Sequence, residues 1–96
     1  MIEIVETQAF ADWIERLADD GARVRILARV WRLARGNPGD ARPVGHGVSE
    51  LRIDYGPGYR VYFTRRGGEI VIVLGAGDKR TQDRDIAAAI ALAAEF

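Results

Sequence analysis

The sequence contains no cysteine and only one histidine, His46, among its 96 residues. Without thiols, neither a disulfide framework nor a thiolate metal site can form, and one imidazole cannot build a multi-histidine site. We therefore predict that the protein uses no metal ion and no other cofactor. His46 itself is flanked by glycines in the stretch GHG and is predicted to be a solvated loop residue.

Long apolar runs and a basic leader are also absent. No stretch approaches the roughly 20 apolar residues that span a bilayer. The N-terminal segment MIEIVETQAF lacks the basic residues that open a signal peptide. We predict a cytoplasmic protein without a membrane partner, folded as one domain over residues 1–96.

The net charge is zero, but the charges are unevenly distributed. Residues 1–20 carry six acids and one base, and residues 21–36 carry five arginines and no acid. Residues 37–66 add five more arginines against three acids. A basic central region is the usual electrostatic footprint of a protein that binds phosphate groups.

Hydrophobic spacing in the first third predicts a strand followed by two helices. IEIV suits a short strand, and Thr7 is the predicted N-cap of an amphipathic helix. The apolar face of that helix contains Phe10, Trp13, Ile14 and Leu17. The next helix, ARVRILARVWRLARG, is predicted to have its core stripe at Val24, Leu27, Trp31 and Ala34, widened on one side by Ile26, Val30 and Leu33. Three of its arginines share the opposite face: Arg25, Arg29 and Arg32.

The remaining sequence predicts a loop, three strands and a helix. NPGDARPVGHG is the predicted loop, and VSELRIDY and YRVYFTRR form a hairpin around GPG. EIVIVLGAG has the continuous apolar character of an inner strand. The last helix is predicted to begin at the N-cap Thr81. The fold class is therefore α+β, with element order β-α-α-β-β-β-α.

The predicted hairpin assigns Arg60 to a polar face of the sheet. If GPG forms the turn, Arg60 pairs with Asp54, and Glu50, Arg52 and Tyr62 share its face. In this register, Gly75 of the next strand lies beside Arg60, and that strand leads into the sequence GDK. This arrangement predicts a basic cluster of Arg52, Arg60 and Lys79. The alternative is an ordinary cross-strand ion pair between Asp54 and Arg60.

Three segments, GNPGD, ELRIDYGPGYRVYF and GDKRTQDRDI, resemble the RelE/ParE toxin superfamily. Within it, the chain most resembles the addiction module killer proteins, which are HigB-like toxins of type II toxin–antitoxin systems. The resemblance extends from Phe10 to the last helix. It implies a RelE-like fold, in which a twisted antiparallel sheet packs on an N-terminal helical hairpin and a C-terminal helix.

The resemblance also implies an activity and partners. RelE-like toxins are metal-independent endoribonucleases that cleave mRNA on the ribosome and leave a 2′,3′-cyclic phosphate. The expected partner is a cognate helix-turn-helix antitoxin (HigA-like), and the toxin is expected to reach operator DNA only through it. Two alternatives remain open: a ParE-like gyrase inhibitor of the same fold, and a catalytically inactive module that only binds its antitoxin.

Residue by residue, the resemblance implies that Arg60, the arginine of the GYR strand, binds the scissile phosphate. Arg52 and Lys79 stand at the family's other basic positions. Lys79 is the predicted general acid, and Glu50 or Asp83 is the predicted general base. Retention of the three basic residues favours the endoribonuclease over the gyrase inhibitor.

The predicted RNA contacts lie partly outside this cluster. The tyrosine that stacks on the substrate base in related ribonucleases has no counterpart, because its place is taken by Asp85, Gln82 or Asp83. Tyr62 is predicted to stack on a base instead. The other predicted contacts to RNA backbone are Arg25, Arg29, Arg32, Arg65 and Arg66. Pairing with an acidic antitoxin or with carboxylates of the first helix is the alternative for the helical arginines.

Overall fold

Three helices sandwich a five-stranded sheet in the computed structural model, which describes residues 2–96. Helices α1 and α2 cover one face of the sheet, and α3 covers the other. The α+β class and the packing of both helical units on the sheet are as predicted. The elements are β1 (Glu3–Glu6), α1 (Gln8–Arg16), α2 (Asp20–Ala34), β2 (Ala41–Gly45), β3 (Val48–Ile53), β4 (Tyr59–Arg66), β5 (Ile70–Asp78), a 3₁₀ turn (Lys79–Thr81) and α3 (Gln82–Ala93).

The sheet has the strand order β1-β5-β4-β3-β2 and is mixed, because β1 runs parallel to β5. The chain enters the sheet at β1, crosses it through α1 and α2, and returns strand by strand from the opposite edge. Strands β2 to β5 form an antiparallel meander. Its last strand, β5, lies beside β1 and runs in the same direction. The sheet is therefore antiparallel except at this one pair.

One segment predicted as loop is a strand. Residues Ala41–Gly45 form β2, which pairs with β3 at the sheet edge. Proline and glycine in NPGDARPVGHG made this segment look irregular. Pro43 is compatible with an edge strand, because a missing N–H costs nothing where no neighbour accepts it.

The hairpin between β3 and β4 has a longer turn than predicted. Arg52 pairs with Arg60 and Ile53 with Tyr59, so the register differs by two residues from the predicted one. The turn accommodates Gly56 and Gly58 at φ values of 56° and 84°, which glycine adopts at little cost. A shift of two residues preserves which side chains share a face. The predicted sorting of the hairpin into an apolar and a polar face therefore holds.

The register of β4 on β5 is displaced in the same way. Gly77, not Gly75, lies opposite Arg60, and Gly75 lies opposite Tyr62. A bulge follows Tyr62, so that Phe63 pairs with Val73. This displacement brings the end of β5, and with it the 3₁₀ turn, beside Arg60.

Helix α2 buries four residues of its predicted apolar face, Ile26, Val30, Leu33 and Ala34, and leaves the other three exposed. Its core residues are Ala22, Ile26, Val30, Leu33 and Ala34. Of the predicted central stripe, Val24 is 66% exposed, Leu27 38% and Trp31 59%. The buried positions recur at every turn of the helix, so they form the stripe that follows the sheet along its full length. Because both stripes are apolar, the sequence pattern alone does not distinguish the outward stripe from the buried one.

No helix within residues 2–96 combines the length and the apolar character needed to cross a membrane.

Candidate phosphate-binding site

A cleft of about 320 Å³ opens where β3, β4 and the 3₁₀ turn meet. We call it the basic cleft, and it is lined by Asp40, Arg52, Ile53, Asp54, Gly58, Arg60 and Lys79. The structure thus brings together Arg52, Arg60 and Lys79. Their convergence follows from the sheet register, because β3 and β4 place both arginines side by side and β5 leads directly into Lys79.

Two arginines face each other across neighbouring strands in this cleft. Arg52 and Arg60 are direct cross-strand partners, so the predicted pairing of Arg60 with Asp54 is wrong. Asp54 instead lies in the turn, where it is exposed. Like charges at directly opposed positions destabilise a sheet. Each arginine therefore requires a compensating anion.

Asp40 compensates Arg52 at the mouth of the cleft. Arg52 donates to Asp40 Oδ1 from Nη2 at 2.7 Å and from Nε at 3.1 Å. These hydrogen bonds hold the pKa of Asp40 below its usual range and raise that of Arg52. Both side chains are substantially exposed, so the pair can separate when another anion arrives.

Replacing Asp40 with asparagine should strengthen binding of inorganic phosphate about threefold to tenfold at low ionic strength, because Arg52 loses its competing carboxylate. Since the pKa of Asp40 is lowered, its pairing persists at neutral pH and is lost as the pH falls through that lowered value. Isothermal titration at pH 7 measures the change. Asp83→Asn, which removes an exposed carboxylate outside the cleft, is the charge-matched control. An equal gain in both variants would contradict the role of Asp40.

Glu50 compensates Arg60 from beneath the cleft. Arg60 is only 9% exposed, and its Nε lies 3.9 Å from Glu50 Oε1. Among residues 2–96, this Nε has no hydrogen-bond partner, while Nη1 donates to the Tyr59 carbonyl at 3.2 Å. The guanidinium is therefore held in a mostly buried position by charge attraction and a single hydrogen bond.

Neither predicted general base lies in the cleft. Glu50 is completely buried and accepts hydrogen bonds from Arg42 Nε at 2.8 Å and from Gln82 Nε2 at 3.0 Å. Asp83 is exposed on the first turn of α3 and does not line the cleft. The carboxylates that do line it are Asp40 and Asp54. Both lie in segments that carry the family resemblance, GNPGD and DYGPG, but the sequence did not predict a catalytic role for either side chain.

Tyr62 is not placed to stack on a base. Its side chain is completely buried beneath α3, among Val48, Ile72 and Leu74. Burial raises the pKa of its hydroxyl, which has no hydrogen-bond partner among residues 2–96. The predicted stacking role is wrong, because α3 covers the face of β4 that carries Tyr62.

Arg29 has a structural role, because it donates hydrogen bonds to three backbone carbonyls. Its Nη1 donates to the Arg52 carbonyl at 2.6 Å, and its Nη2 donates to the carbonyls of Pro38 and Asp40 at 2.9 and 3.0 Å. Partial burial, together with the neighbouring Arg32, lowers the pKa of Arg29. The side chain ties α2 to the segment before β2. These contacts occupy it, which argues against the predicted contact with RNA.

The other two predicted arginines of α2 remain at the surface. Arg25 stacks on the Tyr55 ring, with its guanidinium carbon 4.2 Å from the ring centroid, and donates to the Gly21 carbonyl at 3.2 Å. Arg32 is exposed. Their surface positions are compatible with backbone contacts to a nucleic acid.

The arginine pair at the end of β4 lies far from the cleft. Arg66 donates to the Ala93 carbonyl at 3.0 Å and to Thr64 Oγ1 at 2.9 Å, and so completes the C-terminal end of α3. Arg65 is exposed. At about 3.3 Å per residue along a strand, the pair is roughly 20 Å from Arg60.

The turn into α3 closes the cleft from the side of β5. Thr81 occupies the N-cap position as predicted, but its hydroxyl donates to Asp85 Oδ2 at 2.6 Å and makes no capping hydrogen bond. Asp78 caps the 3₁₀ turn by accepting from the Arg80 amide at 2.8 Å, and hydrogen bonds from Arg80 lower its pKa. These contacts fix the segment that carries Lys79.

Gly77 permits this close approach of α3 to β5. A Cβ at Gly77 would collide with the Asp85 carboxylate and lie 3.1 Å from Thr81 Oγ1. We expect Gly77→Ala to lower the free energy of unfolding by about 1–3 kcal/mol, measured by urea denaturation. Gly75→Ala is the matched control on the same strand, because nothing lies within 4 Å of its Cβ position. Equal stability of the two variants would contradict the packing argument.

Fold and site together define a class of protein: a small α+β protein in which two arginines and a lysine line one cleft. The chain belongs to the family described as phage derived protein Gp49-like (DUF891), whose model matches residues 12–95. This is a family of RelE/HigB-like toxins of toxin–antitoxin systems. The chain is also 48% identical over 95 residues, 99% of its length, to a protein of Haemophilus influenzae described as uncharacterized, 96% of which is covered.

Proposed function

We propose that this protein is the toxin of a type II toxin–antitoxin pair and that it inhibits translation as an endoribonuclease acting on mRNA. The observation that carries the proposal is the direct cross-strand pairing of Arg52 and Arg60 in a cleft that also receives Lys79. Two opposed guanidinium groups repel each other, and a phosphate between them would accept charge-assisted hydrogen bonds from both. Like charges placed side by side are a local departure from stability of the kind that proteins make at functional sites.

In the proposed reaction, the 2′-hydroxyl of a bound nucleotide loses its proton and its oxygen attacks the adjacent phosphorus. The bond from phosphorus to the 5′-oxygen breaks, and this oxygen takes up a proton. The products are a 2′,3′-cyclic phosphate and a 5′-hydroxyl. Negative charge accumulates on the phosphate oxygens in the transition state, and fixed cations in a partly buried site stabilise it.

Arg60 is suited to bind those oxygens, because its guanidinium is permanently charged and is held at the base of the cleft. Arg52 contributes a second guanidinium once Asp40 releases it. Lys79, which lines the cleft, is the proposed donor of the proton that the leaving oxygen takes up. Asp54 is our candidate proton acceptor, since it lines the cleft and forms no ion pair among residues 2–96.

The proposed partners follow from the family and from the surface. We propose that the protein belongs to the HigB-like branch, that its cognate partner is a helix-turn-helix antitoxin, and that it reaches operator DNA only through this partner. The ribosome is the proposed site of action. Arg25 and Arg32 are exposed cations outside the cleft that suit ribosomal RNA backbone.

The test is induced expression from a tightly controlled promoter, followed by mapping of the 5′ ends of cellular mRNA. We expect growth arrest together with new 5′-hydroxyl ends at cleavage sites that lie in frame with the coding sequence. A DNA-damage reporter is read in the same cells. Arrest with a damage response and without new RNA ends would favour the gyrase inhibitor. Normal growth would favour the inactive antitoxin-binding module.

A further inference from the structure

A second surface, on the side of α2 away from the basic cleft, has the features of a docking site. A groove of about 460 Å³ runs between α2 and β1. We call it the edge groove, and it is lined by Ile2, Glu3, Ile4, Glu6, Leu27, Val30, Trp31 and Ala34. None of these residues lines the basic cleft.

The apolar wall of the edge groove is unusually exposed. Trp31 is 59% exposed and Leu27 38%, and Val24, at 66%, continues the same stripe of α2. An indole carries a large apolar area, and an exposed tryptophan at the rim of a groove is typical of an interaction surface. The three side chains lie along the helix at spacings of three and four residues, so they form one continuous strip.

The floor of the edge groove ends at the outer edge of β1, which pairs with no further strand among residues 2–96. Just before this edge, the Ile2 amide donates to the Ala34 carbonyl of α2 at 3.1 Å. On the inner side, the amides of Glu3 and Thr7 donate to the carbonyls of Glu69 and Val73 at 2.8 and 3.1 Å. Backbone groups alternate in direction along a strand. The N–H and C=O groups of Ile4 and Glu6 therefore point away from the sheet, toward any chain that lies beside β1.

The charges on β1 select among possible occupants. Glu3 and Glu6 are exposed at the two ends of the strand. β1 thus carries two carboxylates and no cation. A partner strand with basic side chains is favoured, because opposite charges on neighbouring strands stabilise the pair. Because side chains alternate, its other positions would point into the apolar groove.

We propose that the edge groove binds an extended segment of a partner protein that alternates apolar and basic residues and adds as a strand to β1. Its backbone pairs with Ile4 and Glu6, and its apolar side chains contact Leu27 and Trp31. Its basic side chains neighbour Glu3. Strand addition of this kind takes its affinity from main-chain hydrogen bonds and its specificity from alternate side chains. The proposal is independent of any ribonuclease activity.

The probe is an end-capped peptide of eight residues in which valine and lysine alternate, titrated into the isotopically labelled protein. Binding should shift the amide resonances of Ile4 and Glu6 and slow their hydrogen exchange. Trp31→Ala should weaken binding about tenfold, since an indole contact is lost. Phe96→Ala is the matched control, because Phe96 is 54% exposed and lies outside the edge groove.

Charge reversal supplies a second, independent variant. In Glu3→Lys/Glu6→Lys, a peptide alternating valine and glutamate should bind better than the lysine peptide. The proposal is overturned if both peptides bind the wild type equally, or if Trp31→Ala leaves the affinity unchanged. Sedimentation showing a dimer that Trp31→Ala dissociates would overturn it too, by assigning the groove to a second copy of the chain.

Discussion

Replacing Arg60 with alanine is expected to reduce the rate of mRNA cleavage about 10²- to 10³-fold, as is typical for loss of one group that stabilises transition-state charge. Arg60 is the most buried cation of the basic cleft, and the charge it supplies is least screened by water. Arg52 is already paired with Asp40, and Lys79 is exposed, so neither replaces it.

The rate is measured on mRNA bound to purified ribosomes in single-turnover conditions. Arg60→Lys separates charge from geometry: a lysine keeps the charge but not the planar fork, and most of the loss should remain. Arg65→Ala is the control on the same strand, because Arg65 is exposed and lies outside the cleft. Unchanged cleavage by a folded Arg60→Ala protein would exclude the basic cleft as the site of reaction.

Convergence of the basic residues was predictable because it depends on alternation, which tolerates an error of two residues in register. The turn holds two more residues than GPG alone indicates, yet Arg52 and Arg60 still share a face. Lys79 joins them because β5 pairs with β4 and ends beside Arg60. The order of strands and the period of two were sufficient for this result.

Burial of the polar face was not predictable from local pattern. Glu50 and Tyr62 alternate with core residues on their strands, as exposed side chains do, and nothing nearby in sequence indicates that α3 covers them. The same limit applies to α2, where two apolar stripes compete and only the sheet decides between them. One of these stripes packs in the core, and the other, with Trp31, became the wall of the edge groove.

Glu50→Ala is expected to lower the free energy of unfolding by about 3 kcal/mol, the usual result of removing one partner from a buried ion pair. Glu50 is completely buried, and its loss would leave Arg60 without its nearest anion. Arg42 would lose its acceptor too, but its half-exposed side chain can turn to water. Urea denaturation measures the effect, and a change below about 1 kcal/mol would contradict the structural role.

Glu50→Gln then separates a positioning residue from a general base. Glutamine keeps the volume and one acceptor oxygen for Arg42, so the protein should fold, while proton acceptance is lost. If Glu50 were the base, cleavage would fall about 10²- to 10⁴-fold. We expect a loss of less than about tenfold, an unshifted acidic limb in the pH–rate profile, and a lower KM. The KM should fall because Arg60, 3.9 Å from the altered group, no longer shares its charge with a carboxylate and attracts phosphate more strongly.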